Sequence, residues 1–276
     1  MRRQLRRRVT VSAVLGCVLA ACSPAPAPDN DVPGPAFPAG APFDYQLGGG
    51  YRPAPAVRLV VRDSTAEPAP NVYNVCYVNG FQTQPAHRSL WLREHADLVL
   101  RDRLGAPVAD PEWPGELVLD TSGEDKRQRI ATVIGEVIAG CARAGFDAVE
   151  LDNLDSFTRS AGRLSAADNL ALAAGLVRTA HANGLLAGQK NAAELSDRAR
   201  EEAGFDFAVA EECLAYRECA AYTEVYGDRV IDIEYPDTLA EPFAEACARD
   251  DAVAATILRD RPLLAPGEPN HRYEAC

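Results

Sequence analysis

Acidic side chains recur in this chain at one kind of place, directly after a short apolar run. The densest case is Gly145-Phe146-Asp147-Ala148-Val149-Glu150-Leu151-Asp152-Asn153-Leu154-Asp155. It reads as a strand over 147–151 that runs into a cluster of carboxylates. Side chains alternate in an extended chain, so Ala148, Glu150 and Asp152 share one face while Val149 and Leu151 share the other. Small and acidic residues on one face suit the mouth of a barrel or cleft. An Asp or Asn can also cap a helix N-terminus. Asp155 suits that role equally well, but capping needs only one acid of the cluster. The pattern repeats at Tyr77-Val78-Asn79-Gly80, Gln189-Lys190-Asn191, Glu211-Glu212 and Asp232-Ile233-Glu234-Tyr235. Two carboxylates facing each other across a cleft, one protonated and one ionised, are the equipment for breaking a glycosidic bond, and their separation sets the stereochemistry. One of them must be held protonated, by burial or by a like charge. Glu150, on the same face as Asp152, is placed to supply that charge. No Ser-His-Asp order is present and no His ends a strand, which argues against esterase chemistry. Only Lys126 and Lys190 stand against 26 Arg. A Lys at a strand end in such a chain points to a use for its compact charge.

The elements that would carry these residues alternate. Strand-like runs fall at Tyr45–Leu47, Arg58–Val61, Val72–Val78, Asp147–Leu151, Leu185–Gln189, Asp206–Val209, Val230–Ile233 and Val253–Leu258. Between Gly123 and Gly145, the residues Ile130, Val133, Ile134, Val137, Ile138 and Cys141 form a helical stripe. Ser165 can cap a second helix that stops at Asn183-Gly184, and 194–203 and 241–249 read as shorter helices. Eight strands with intervening helices predict a (β/α)8 TIM barrel, an α/β fold in one domain. An open doubly wound sheet is the alternative, but no Gly-rich phosphate loop follows a strand, and Gly48-Gly49-Gly50 reads as a flexible turn.

Ahead of the barrel, residues 1–21 have the form of an export signal: Arg2, Arg3, Arg6, Arg7 and Arg8, then an apolar run too short to span a bilayer. It ends Leu19-Ala20-Ala21-Cys22, like a bacterial lipobox with Cys22 as the lipidated residue. An ordinary cleaved signal with an incidental Cys is the other reading. Residues 22–42, rich in Pro and Ala, read as a stiff tether, and 43–276 as the barrel. The expected location is outside the cell, lipid-anchored at the cell surface or the outer face of the membrane. Net charge is −12 for the whole chain, and −17 once the five signal arginines are gone. That argues against nucleic acid, and against an anionic membrane surface, so the only membrane contact expected is the lipid on Cys22. It favours a cationic ligand, though many exported proteins are acidic for solubility alone. Six cysteines remain for the exported domain: Cys76, Cys141, Cys213, Cys219, Cys247 and Cys276. An even number suggests three disulfides, with 15 pairings open. Close spacing favours Cys213 with Cys219, and a staple of the tail favours Cys247 with Cys276, leaving Cys76 for Cys141. A zinc site is disfavoured, since there is no CxxC and the four His lie apart from the Cys pairs.

The runs GFDAVELDNLD, AHANGLLAGQKNA, FDFAVAEECLAYREC and IDIEY resemble glycoside hydrolase family 114, the endo-α-1,4-polygalactosaminidases. The segments FDYQLGG and VCYVNG are similar to that family's first and third strands, and the resemblance covers about 43–276. It implies a metal-free, cofactor-free TIM-barrel hydrolase acting on galactosamine-containing α-1,4-linked polymers. By position it implies Asp152 as nucleophile and Glu211 as general acid/base. Lys190, Asn191 and Glu234 would line the sugar subsites, and Tyr45, Tyr77, Asn153, Asp155 and Tyr235 are expected there too. A partly de-N-acetylated, cationic polysaccharide suits an acidic groove. Three departures stand out: Ala210 before the acid of the sixth strand, Phe81-Gln82-Thr83 after Gly80, and Gly115-Glu116-Leu117-Val118-Leu119 in place of a Trp-containing motif. A surface-tethered polysaccharide-binding protein without turnover is the competing expectation.

Overall fold

The computed structural model describes residues 36–276; the expected signal, Cys22 and residues 23–35 of the tether lie outside them. Eight parallel strands follow one another in sequence order. They are β1 (Phe43–Gln46), β2 (Leu59–Asp63), β3 (Tyr73–Asn79), β4 (Ala148–Asp152), β5 (Leu186–Lys190), β6 (Phe207–Glu211), β7 (Val230–Glu234) and β8 (Ala255–Arg259). All eight expected runs are strands, and the sheet curls into a (β/α)8 barrel. A ninth strand, β9 (Tyr273–Ala275), was not foreseen; it adds antiparallel to β8.

The seam where β8 returns to β1 is held by side chains. The fully buried Arg259 guanidinium donates to Tyr45 O and, at 3.1 Å, to Asp44 Oδ1. Tyr273 Oη donates to Phe43 O at 2.8 Å. Burying a guanidinium is costly unless its donors are met, and Arg272 O and Leu264 O accept two more, each at 2.9 Å.

The helices are α1 (Arg88–Glu94), α2 (Glu124–Ala144), α3 (Ala166–Ala182), α4 (Ser196–Arg198), α5 (Cys213–Tyr216), α6 (Cys219–Tyr226) and α7 (Phe243–Cys247). No helix follows β1 or β2, where Pro53, Pro55, Pro68 and Pro70 interrupt the connections. The α2 stripe is as expected: Ile130, Ile134, Ile138 and Cys141 are buried, and Gly145 ends the helix at φ 95°. In α3, Ser165 and Asp168 form a reciprocal capping box, worth about 1 kcal/mol. These helices pack on the outer face of the sheet, against Cys76, Val78, Val149 and Leu151. Inside the barrel, Phe43, Tyr45, Leu59, Val61, Val75, Ala148, Phe207, Val209, Ile231, Ile233 and Ile257 make a separate core. Gly188 on β5 is required there, because a Cβ would run into the Phe207 ring.

Three disulfides are formed, in the favoured pairing. Cys76–Cys141 ties β3 to α2, Cys213–Cys219 closes the turn between α5 and α6, and Cys247–Cys276 staples the tail to α7. Among the described residues, no helix is long and apolar enough to cross a membrane.

Candidate active site

Alternation along β4 and β5 aims Glu150, Asp152 and Lys190 into the upper barrel, above the apolar plug. Glu150 and Lys190 meet at 2.8 Å, both almost wholly buried. Tyr45 Oη donates to Glu150 Oε1 at 2.7 Å and accepts from Lys190 Nζ at 2.9 Å. The same ammonium lies 3.4 Å from Glu211 Oε2 and 4.0 Å from Asp152 Oδ1, so one cation stands among three carboxyls. Burial pulls Lys190 down, but Glu150, Glu211 and the other surrounding groups hold it well above its ordinary value, and it stays charged.

The two upper carboxyls differ. Asp152 Oδ2 accepts from Tyr77 Oη at 2.5 Å, while its Oδ1 is buried and receives no hydrogen bond among the described residues. Burial, which outweighs Lys190 and Tyr77, pushes Asp152 from 3.8 up to about 7, with the charge of Glu150 adding to it. Glu211 is also pushed up by burial. Lys190, Tyr235 Oη at 2.5 Å and Asn191 Nδ2 at 3.4 Å more than offset this and hold it below its usual value. Asn191 also accepts from the Glu211 backbone N–H at 2.8 Å, which fixes the end of β6. In the free site Asp152 therefore holds a proton more readily than Glu211, which favours its charged form.

Around them opens a cleft of about 1060 Å3. Tyr45, Tyr77, Asn153, Asp155, Lys190, Asn191 and Tyr235, the residues singled out in the sequence, all line it. Asp155 is held by Arg159 at 2.7 Å, in the 3-10 turn Leu154–Ser160 that follows β4. Glu234 does not join them. Ile233 belongs to the inner core, so period-two alternation turns Glu234 to the outer face. There it accepts the Leu214 backbone N–H at 2.7 Å and anchors the start of α5. Proximity to the strand end had suggested a subsite role; the strand's face decides against it. His87 and His95 flank α1 and do not line the cleft, and His181 pairs with Asp206 at 2.8 Å.

Residues beyond the strand ends complete the walls. The excursion between β3 and α2 folds into a small antiparallel patch, with Gln82 opposite Val118 and Ala109 opposite Leu117. It delivers Glu112, Trp113 and Glu116 to the cleft; Tyr216 and Glu218 arrive from the other side, at and just past the end of α5. Trp113 is 58% exposed and Tyr216 63%. Exposed aromatic faces at a cleft mouth suit stacking on sugar rings. Nine acidic side chains line the cleft against three basic ones. Neither aromatic was assigned a role from the sequence, because nothing in their local pattern marks them as exposed. Among the described residues, Cys213, Cys219 and Asp232 group as metal ligands might, but the two sulfurs form a disulfide and offer no thiolate.

The profile of glycoside-hydrolase family GH114 matches residues 23–276. No curated protein matches by sequence. Among solved structures, the chain is similar to Ega3 of Aspergillus fumigatus in complex with galactosamine, at 21% identity and TM-score 0.70, covering 88% of this chain and 98% of that one. It is similar to the glycoside hydrolase domain of PelA from Pseudomonas aeruginosa at 15% identity and TM-score 0.58, over 82% and 97% of the two chains. The Thermus thermophilus α-galactosidase TtGalA, solved with p-nitrophenyl α-D-galactopyranoside, matches at 15% identity and TM-score 0.51, over 83% of this chain and 60% of that one. At these identities the structural likeness speaks to the fold.

Proposed function

The chain belongs to glycoside-hydrolase family GH114, and on that premise we propose that it hydrolyses an α-1,4-linked, galactosamine-containing polysaccharide, with Asp152 and Glu211 as the reacting carboxylates. The observation that carries this is one ammonium between two cleft carboxyls of opposite protonation tendency, on the floor of an acid-walled, aromatic-rimmed cleft. The galactosamine bound to the Aspergillus fumigatus structure supports the substrate class.

Asp152 acts as the nucleophile and Glu211 as the acid/base, which requires the reverse of the resting protonation. A sugar hydroxyl or ammonium donating to the bare Oδ1 of Asp152 favours its ionised form. Glu211 has a side chain 27% exposed in the free site. Substrate lying over it removes the water that favours its charge, and so raises its affinity for the proton. Lys190 remains charged throughout and limits the repulsion between the carboxyls. Tyr77 and Tyr235 fix the two carboxyl planes.

The protein works outside the cytoplasm, held by a lipid on Cys22. The three disulfides support an oxidising compartment. The competing reading, a polysaccharide-binding protein without turnover, draws on Trp113 and Tyr216, but leaves the tuned pair unexplained. Release of reducing ends from partly de-N-acetylated α-1,4-galactosaminogalactan separates the two. Hydrolysis yields new ends, whereas retention of the polymer without new ends supports the binding protein.

A further inference from the structure

Glu116 is a carboxylate with an unusual environment. It is only 8% exposed, yet it lines the cleft. Both of its described side-chain hydrogen bonds fall on Oε2, from Asn79 Nδ2 at 2.7 Å and Gln82 Nε2 at 2.9 Å. Both donors are neutral amides. Oε1 takes no hydrogen bond among the described residues, and Glu116 forms no ion pair there. The nearby Arg159 is already engaged, by Asp110 at 2.8 Å and Asp155 at 2.7 Å. Burial pushes Glu116 above its ordinary value, and a cation arriving in the cleft would favour its ionised form, with Oε1 left free to accept.

Its place narrows what that cation is. Asn79, which holds Glu116, is the register partner of Asp152, and Tyr77 on the same strand donates to Asp152. We infer that Glu116 is the ammonium-reading residue of the cleft: its Oε1 accepts from the protonated 2-amino group of a hexosamine bound against Asp152. A hexosamine carries that group on the carbon next to the anomeric centre. A ring with C1 at Asp152 therefore carries its ammonium one carbon from the reacting centre, and Glu116 is the carboxylate that the neighbouring strand holds, through Asn79, in the same cleft. An acetamido group brings no charge and more bulk, so the same carboxylate discriminates against N-acetylated rings. Gln82 and Glu116, two of the residues that depart from the family pattern, thus act on each other. The inference rests on the proposed substrate class and assigns the residue that recognises it.

The test is binding of galactosamine, galactose and N-acetylgalactosamine to the full chain, by calorimetry or NMR titration, in wild type, Glu116→Gln and Glu116→Asp. A charge-assisted hydrogen bond predicts that wild type favours galactosamine over galactose by about ten- to a hundred-fold. Glu116→Gln should lose that preference while its galactose affinity stays unchanged, and Glu116→Asp should keep part of it. A preference that survives in Glu116→Gln overturns the inference, as does wild type without one. Equal loss for both sugars in the two variants also overturns it, since it marks a packing role. Polymer cleavage by wild type with no preference for the amino sugar removes Glu116 from recognition and leaves the hydrolase standing. A preference without cleavage does the reverse.

Discussion

Asp152 and Glu211 are both carboxylates at strand ends, and their partners make them different. Glu211 has three donors and rests ionised, whereas Asp152 has one phenol and a bare oxygen, and its titration lies at about 7. A nucleophile works only when ionised. The acid must carry its proton at the same moment, and Glu211 rests below its usual value. The fraction of free enzyme in the reactive state is then level below about 7 and falls above it. We therefore expect kcat/KM to fall as pH rises through about 7. A rise through the same range would contradict a protonated Glu211 as the acid. The same titration affects stability. Below about 4, Asp152 is protonated both in the fold and in the unfolded chain, so it imposes no penalty. As pH rises from 3.8 to about 7, the unfolded chain ionises while the fold keeps the proton, and stability is lost. Asp152→Asn has no such titration. Its thermal midpoint should exceed that of wild type by more at pH 8 than at pH 4, with about 4 kcal/mol as an upper bound. A gap that does not grow with pH would contradict the burial of Asp152 as the cause.

At the scale of elements, the disulfides tie different lengths of chain. Cys76–Cys141 closes 65 residues and Cys213–Cys219 only 6. Loop-closure entropy then assigns about 4 kcal/mol to the first and about 2 kcal/mol to the second. Denaturant unfolding of the paired Cys→Ala variants should reproduce that order, and the reverse order would show that the short bridge restrains more than chain entropy. The eight strands were legible because each is a compact apolar run between turn residues, and α2 and α3 because their stripes and caps are local. The faces of β4 were legible for the same reason: Glu150 and Asp152 stand two apart, alternating with the apolar Val149 and Leu151. Glu234 was misplaced because nearness to the strand end was weighed above its alternation with Ile233. The excursion that brings in Glu112, Trp113 and Glu116 was not legible. It is held by scattered bridges between residues such as Gln82 and Val118, which leave no period in the sequence. Strand β9 was missed because it is three residues long and mostly exposed, and so carries no apolar signal.

For the molecule as a whole, charge and shape act together. The chain is acidic at −12, and the imbalance is concentrated where nine acids face three bases around the cleft. Such a field steers a polycation and is screened by salt, with a Debye length of about 30 Å at 0.01 M and about 10 Å at 0.1 M. KM for the de-N-acetylated polymer should therefore rise steeply with ionic strength, while kcat stays nearly level. A salt-independent KM would mean that charge does not draw the substrate in. The barrel supplies the rest of the design: a packed lower lumen, a polar upper lumen, and loops that wall the opening. The most direct test of the pair at its centre is release of reducing ends from partly de-N-acetylated α-1,4-galactosaminogalactan by wild type, Asp152→Asn and Glu211→Gln, each confirmed folded by circular dichroism. We predict activity in the wild type and a loss of about 10²- to 10⁴-fold in each variant. Undiminished hydrolysis by either folded variant would contradict the assignment of Asp152 and Glu211.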